Sequence, residues 1–266
     1  MTANGGPGQP HRRTAVVFSS GAMFGAYHAG AWKALADQIR PDVIVGASVG
    51  SLNGWAVAGG VDPDFLIQRW MQAEAAAEMR IRFPRHWLDG WVDAPHLEQW
   101  IREMHQQFKP KVDYALVLTR LWPLRPELVL GDAVTWQHIA SSCAVPLFFP
   151  HYRLQGSVYT DGGLLQAMPL WPARELRCER VLAINCLPAL PFSGGKAASR
   201  FMRSVSRHDF AVPEGTELLT IAPEQPLGNT RDFIRWERGN IERWIELGYR
   251  DALSALEANP EFFGNR

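Results

Sequence analysis

An α/β layered fold is what this sequence predicts, and three observations lead to it. Runs of β-favouring residues alternate with stretches of helical spacing through most of the 266 residues. The first two runs, 14–19 and 41–45, are joined by a helical segment over 26–38, which makes a βαβ unit with parallel strands. The second run feeds directly into Gly46-Ala47-Ser48-Val49-Gly50 and then an apolar, Ala-rich segment, the order strand, sharp turn, helix. The length suits one large domain over 14–266, preceded by a polar, Gly/Pro-rich tail, 1–13, expected to be disordered.

In order, the strand 14–19 ends in the small-residue loop Ser20-Gly21-Ala22-Met23-Phe24-Gly25, and helix 26–38 follows. Beyond the Ser48 turn a helix covers 52–60. Asp62-Pro63-Asp64 supplies an N-cap with proline in the first turn and opens a helix to about residue 79. Residues 81–91 are irregular and aromatic, with Phe83, Trp87 and Trp91. Asp93 is the expected cap of a helix whose Leu97, Trp100, Ile101, Met104 and Phe108 recur at helical spacing. Such a stripe is core, with a lid or a lipid-facing surface as the other reading for this tryptophan-rich region. Runs 112–121 and 127–130 pair across Trp122-Pro123-Leu124-Arg125-Pro126. A helix covers 133–142, the proline-broken 145–150 is extended and lines something, and 152–154 with 157–160 form a hairpin across Gln155-Gly156. A buried strand is expected over 180–187, a polar, basic loop over 193–210 and a last strand over 217–221. The closing helix, 233–258, places Ile241, Trp244, Ile245, Leu253 and Leu256 on a face that packs back on the sheet.

Composition narrows the function classes. Lys+Arg and Asp+Glu both number 27, so no broad basic field for nucleic acid exists. No apolar run resembles a signal peptide or a membrane span, which makes cytoplasmic residence the expectation, with room for peripheral membrane contact. Cys143, Cys178 and Cys186 lack metal or disulfide spacing and read as buried small hydrophobes. His-Glu-x-x-His and Gly-Lys-Ser/Thr are absent, so neither a metal nor a nucleotide cofactor is expected.

The chemistry starts at Ser48. A serine on so tight a turn leaves no room for Cβ atoms at Gly46 and Gly50, and its Oγ stands exposed at the sheet's edge. Parallel strands end on the same edge, so the 20–25 loop lies beside it. Acyl transfer needs that neighbour: backbone N–H groups there can stabilise an oxyanion, and Gly21 and Ala22 are the candidate donors. A dinucleotide phosphate loop is the competing reading, but the Gly-x-Gly-x-x-Gly spacing is broken. Asp161, just past a strand and followed by Gly162-Gly163, reads alone as a turn residue; with a nucleophile in hand it becomes the candidate base.

Taken together, these segments resemble the patatin-like phospholipases. Gly25-Ala26-Tyr27-His28-Ala29-Gly30 is similar to the family's Gly-Ala-Tyr-x-Ala-Gly, and Gly46-Ala47-Ser48-Val49-Gly50 to its nucleophile motif. Ser141-Ser142-Cys143-Ala144-Val145-Pro146 resembles its Ala-Ser-x-Ala-x-Pro, Asp161-Gly162-Gly163 its aspartate motif, and Leu247-Gly248-Tyr249 its closing helix. The resemblance implies a three-layer α/β/α patatin-like fold with a mostly parallel central sheet. It also implies a Ser48–Asp161 dyad without histidine, and hydrolysis of lipid or other hydrophobic esters through an acyl-enzyme. The departures are Ser20, Ala22 and Phe24, in place of Gly-Gly-Gly-x-Arg/Lys-Gly. A positive φ at Ala22 would cost about 1–2 kcal/mol, and Phe24 removes a charge from beside the site, which argues against anionic head groups. Two other readings stand beside this one: a Ser-Asp-His triad using His208, and a catalytically weak or silent lipid-binding or regulatory protein that keeps the fold.

Overall fold

The computed structural model describes residues 11–73, 80–81, 83–86, 88–188, 195–206, 208–212 and 214–264. Five parallel strands form the centre of the sheet: β1 (Thr14–Phe18), β2 (Val43–Ala47), β5 (Asp113–Arg120), β9 (Arg180–Ile184) and β10 (Glu217–Ile221). Their order is β10-β9-β1-β2-β5, extended by the antiparallel β8 (Ser157–Thr160) and β7 (Tyr152–Leu154), while β6 (Arg125–Leu130) pairs back on β5. A separate two-stranded piece pairs β3 (Arg80–Ile81) with β4 (Val92–Asp93).

Side chains alternate across the central strands, as the pleat requires. Val16, Phe18 and Ile44 join the larger core, and Ala15, Val17, Val43 and Val45 join a smaller one. Burial on both faces is why these strands are continuous apolar runs. The larger core is covered by α1 (Ala26–Leu35), α2 (Val49–Ala58), α3 (Pro63–Met71), α4 (Pro95–Gln107), α5 (Trp136–Ser142) and α9 (Arg238–Ala258). The smaller face is covered by short α6 (Pro172–Glu175), with Trp171 and Phe210 beside it. Every residue of α2 is buried, as for a helix enclosed by neighbours on all sides.

Two glycines set the closest helix contact. A Cβ on Gly30 of α1 would sit 1.8 Å from the Ile245 carbonyl oxygen of α9, and one on Gly248 would sit 2.2 Å from the Tyr27 carbonyl oxygen. Tyr27 Oη donates to Asp251 Oδ2 at 2.7 Å in the same seam. Gly30→Ala is therefore expected to push two backbones apart and cost about 1–3 kcal/mol, read as a lower urea midpoint at unchanged m.

The structure corrects several sequence readings. The segment 193–210 is not a loop: Gly195–Ser206 form a helix, α7. The expected C-terminal helix is two, α8 (Thr230–Ile234) and α9, and α9 packs chiefly on α1 rather than on the sheet, with Leu253 exposed. Asp93 does not cap α4; Pro95 occupies the first turn and Ala94 the cap position, because the residue before proline is kept out of the helical region. The α3 helix stops at Met71, short of 79, and residues 74–79 lie outside the described residues. Its cap is as expected, Asp62 Oδ1 accepting from the N–H groups of Asp64 and Phe65. Residues 1–10, Trp87 and Arg207 lie outside the described residues. His11–Arg13 are bonded to the domain, Arg12 reaching Glu217 at 2.6 Å and Arg13 pairing with Asp113.

Candidate active site

Ser48 sits between β2 and α2 with φ 53° and ψ −131°, a conformation rarely adopted by a residue with a side chain. Close packing enforces the turn. A Cβ on Gly46 would fall 2.3 Å from the Gly50 carbonyl oxygen, and one on Gly50 would fall 2.4 Å from that of Phe18. The Ser48 N–H donates to Ser142 Oγ at 2.8 Å, and Ser142 in turn donates to the Val117 carbonyl at 2.8 Å. The helix-end segment around Ser142 also holds the aspartate loop: the Asp161 N–H donates to the Ala144 carbonyl at 3.0 Å and that of Gly162 to the Ser142 carbonyl at 3.0 Å. One serine thus ties the Ser48 turn to the Asp161 turn. Ser142 appeared in the sequence only as a motif letter.

Asp161 is buried, and burial lifts its carboxyl pKa to about 6; a hydrogen bond from the Ser48 hydroxyl and one from the Gly163 N–H pull it partly back. Oδ1 accepts from the Gly163 N–H at 2.7 Å. Oδ2 is buried and accepts no hydrogen bond of full geometry. Ser20 Oγ is the second buried, unpaired polar atom here, beside Gly163.

The loop expected at 20–25 is a tight 3₁₀ turn, Ala22–Gly25. Ala22 has φ 46°, so the strained conformation costed from the sequence is the one adopted. The N–H groups of Gly21 and Ala22 precede the first bond of that turn, from Phe24 N–H to the Gly21 carbonyl, and so have no acceptor within it. Cys186 Sγ backs Gly21, and His28 supports the turn through Ser19 Oγ (3.3 Å) and Asn53 Nδ2 (3.4 Å). Complete burial drives the His28 pKa down to about 3, so it is a neutral structural group. Phe24 is not beside the site as the sequence suggested; it is buried edge-on against Phe233 and Trp244.

Ala22 and Ser48 open on a cavity of about 290 Å³ walled by side chains such as Leu52, Trp70, Trp100 and Phe233. Its described lining contains no Asp, Glu, Lys, Arg or His. Leu97 and Trp100 of the α4 stripe and Val145, Phe148 and Phe149 belong to this wall, so the 145–150 run does line something, though as turns rather than extended chain. Cys143 is in the wall too and only half-buried, unlike Cys178 and Cys186. His208 packs between Trp171 and Phe210, by the smaller core, and not in this wall. Among the described residues no group of His, Cys, Asp or Glu converges to hold a metal, and no helix is long and apolar enough to cross a membrane.

The sequence model of the patatin-like phospholipases matches residues 16–174, which span β1, the Ser48 turn, Asp161 and α6. The chain belongs to the patatin-like phospholipase family. Membership supports lipid-ester hydrolase activity. No curated protein sequence matches the chain. Among solved structures, VipD from Legionella pneumophila is 13% identical, with 94% of this chain and 67% of that one aligned at a TM-score of 0.50, which shows a shared fold. The type III effector protein ExoU is 12% identical, with 94% of this chain and 53% of that one aligned at a TM-score of 0.45.

Proposed function

We propose that this patatin-like protein is a serine acyl hydrolase that cleaves lipid or other hydrophobic esters through an acyl-enzyme on Ser48, with Asp161 as its base. The observation that carries this reading is the buried Asp161 carboxyl, its pKa raised by burial and held partly back by a hydrogen bond from the Ser48 hydroxyl, beside a cavity whose described lining is uncharged. In the first half-reaction Asp161 takes the Ser48 proton as Oγ attacks the ester carbonyl. The oxyanion forms by the N–H groups of Gly21 and Ala22, and on collapse the alkoxide leaves with the proton from Asp161. In the second half Asp161 deprotonates a water that attacks the acyl carbonyl, and the proton returns to Ser48 as the acid departs. An alkoxide leaves with less help than an amine, so esters suit a carboxylate base.

The cavity is near the lower end of the range for ligand sites, which fits one acyl chain. Turnover of p-nitrophenyl esters is expected to rise about fourfold in kcat/KM per methylene that the cavity accepts, at about 0.8 kcal/mol each, and to level once it is filled. Flat dependence on chain length would separate the cavity from the acyl group. The silent lipid-binding alternative is favoured by one observation, the strained Ala22; ester turnover that disappears with Asp161→Asn would eliminate it.

A further inference from the structure

We propose that Ile81, Phe83 and Trp91 together with the turn 147–149 form one apolar surface that docks this protein on a lipid–water interface, beside the opening through which a lipid chain reaches Ser48. The docking stands on surface geometry; the delivery of substrate rests on the hydrolase reading above. Five large apolar side chains lie bare there: Phe83 is 88% exposed, Ile81 86%, Leu147 69%, Trp91 48% and Phe148 40%. They form one surface because the segments that carry Trp91 and Leu147 are bonded together. The Trp91 N–H donates to the Leu147 carbonyl at 2.8 Å, the Val92 N–H to that of Phe148 at 2.7 Å and the His151 N–H to that of Leu88 at 2.7 Å. Phe83 and Trp91 meet edge-on, with centroids 6.0 Å apart.

Two features select a lipid surface as the occupant. Phe148 belongs at once to this surface and to the wall of the uncharged cavity, so an acyl chain leaving a membrane could pass between them without crossing water. Arg85 stands exposed near Phe83, the mixture of a cation and long apolar groups that suits the phosphate and acyl levels of an interface. Leu147 reaches solvent from a left-handed backbone, φ 70°, so the exposed leucine is held there by its turn.

Flotation of the Ser48→Ala protein with phosphatidylcholine vesicles tests the docking without hydrolysis. The expected result is co-flotation, reduced on the order of tenfold in partition by adding Phe83→Asp or Ile81→Asp. The exposed positions leave thermal unfolding unchanged. Absence of co-flotation, or aspartate variants that partition as strongly as the Ser48→Ala parent, overturns the proposal. So does loss with Phe201→Asp on α7 but not with Phe83→Asp, or a dimer that Phe83→Asp dissociates without any vesicle binding. Soluble-ester turnover by the unsubstituted protein reports on Ser48 separately, so hydrolysis and docking can fail independently.

Discussion

Ser48→Ala is expected to lower kcat/KM for p-nitrophenyl butyrate by about 10⁴-fold or more. In the proposed mechanism the hydroxyl supplies the bond that splits one difficult displacement into two, and the other nucleophile type in the described cavity wall, the Cys143 thiol, has its pKa driven up by burial first and by Asp161 second. The substitution leaves the turn in place, since the Ser48 N–H bond to Ser142 is made by the backbone. An unchanged unfolding midpoint, loss of turnover and loss of fluorophosphonate labelling would together be the signature of a nucleophile. Labelling that persists in the alanine variant would remove Ser48 from that role.

Asp161→Asn is expected to abolish turnover and, at neutral pH, to stabilise the fold. The carboxyl is raised from 3.8 to about 6 chiefly because burial disfavours its ionised form. Ionised at pH 7 it therefore costs on the order of 3 kcal/mol relative to its protonated form. The sign follows from the raised folded pKa: this group's favourable contribution is fully present below about 3.8 and is lost as pH rises through about 6. The asparagine variant has no such loss, so its advantage is largest at pH 7 and above and shrinks as pH falls toward 4. Urea midpoints at both pH values check this; an advantage independent of pH would mean that the charge is not the cause. Activity carries the mirror image. As the proposed base Asp161 must be ionised, so kcat/KM of the unsubstituted protein is expected to fall below an apparent pKa near 6 rather than near 4.

Local chemistry made much of this legible in advance. The hairpin at 152–160 and the strand Glu217–Ile221 lie where β-favouring runs and their turns put them. The Ser48 turn follows from Gly46 and Gly50, whose missing side chains are where other backbones lie. The misreadings have two origins, local signals passed over and contacts between distant segments. Helix α7 spaces Phe201, Met202 and Val205 at helical intervals, a signal written in the sequence, although Phe201 and Val205 stand on solvent. The break between α8 and α9 comes at Trp236, whose indole N–H donates to the Trp70 carbonyl at 3.0 Å, a bond between residues far apart in sequence. Phe24 occupies a position that reads as active-site loop, and only the approach of Phe233 and Trp244 makes it core.

Residue order alone was enough for the α/β class, for a serine on a glycine-flanked turn and for an aspartate at the end of a strand, because each is written in neighbouring letters. Whether that aspartate meets the hydroxyl, how far burial lifts its pKa, and which aromatic side chains wall the cavity or stand in solvent are consequences of packing between distant segments. A carboxyl's basicity depends on the water removed from around it and the donors left beside it, and those are counted only in three dimensions.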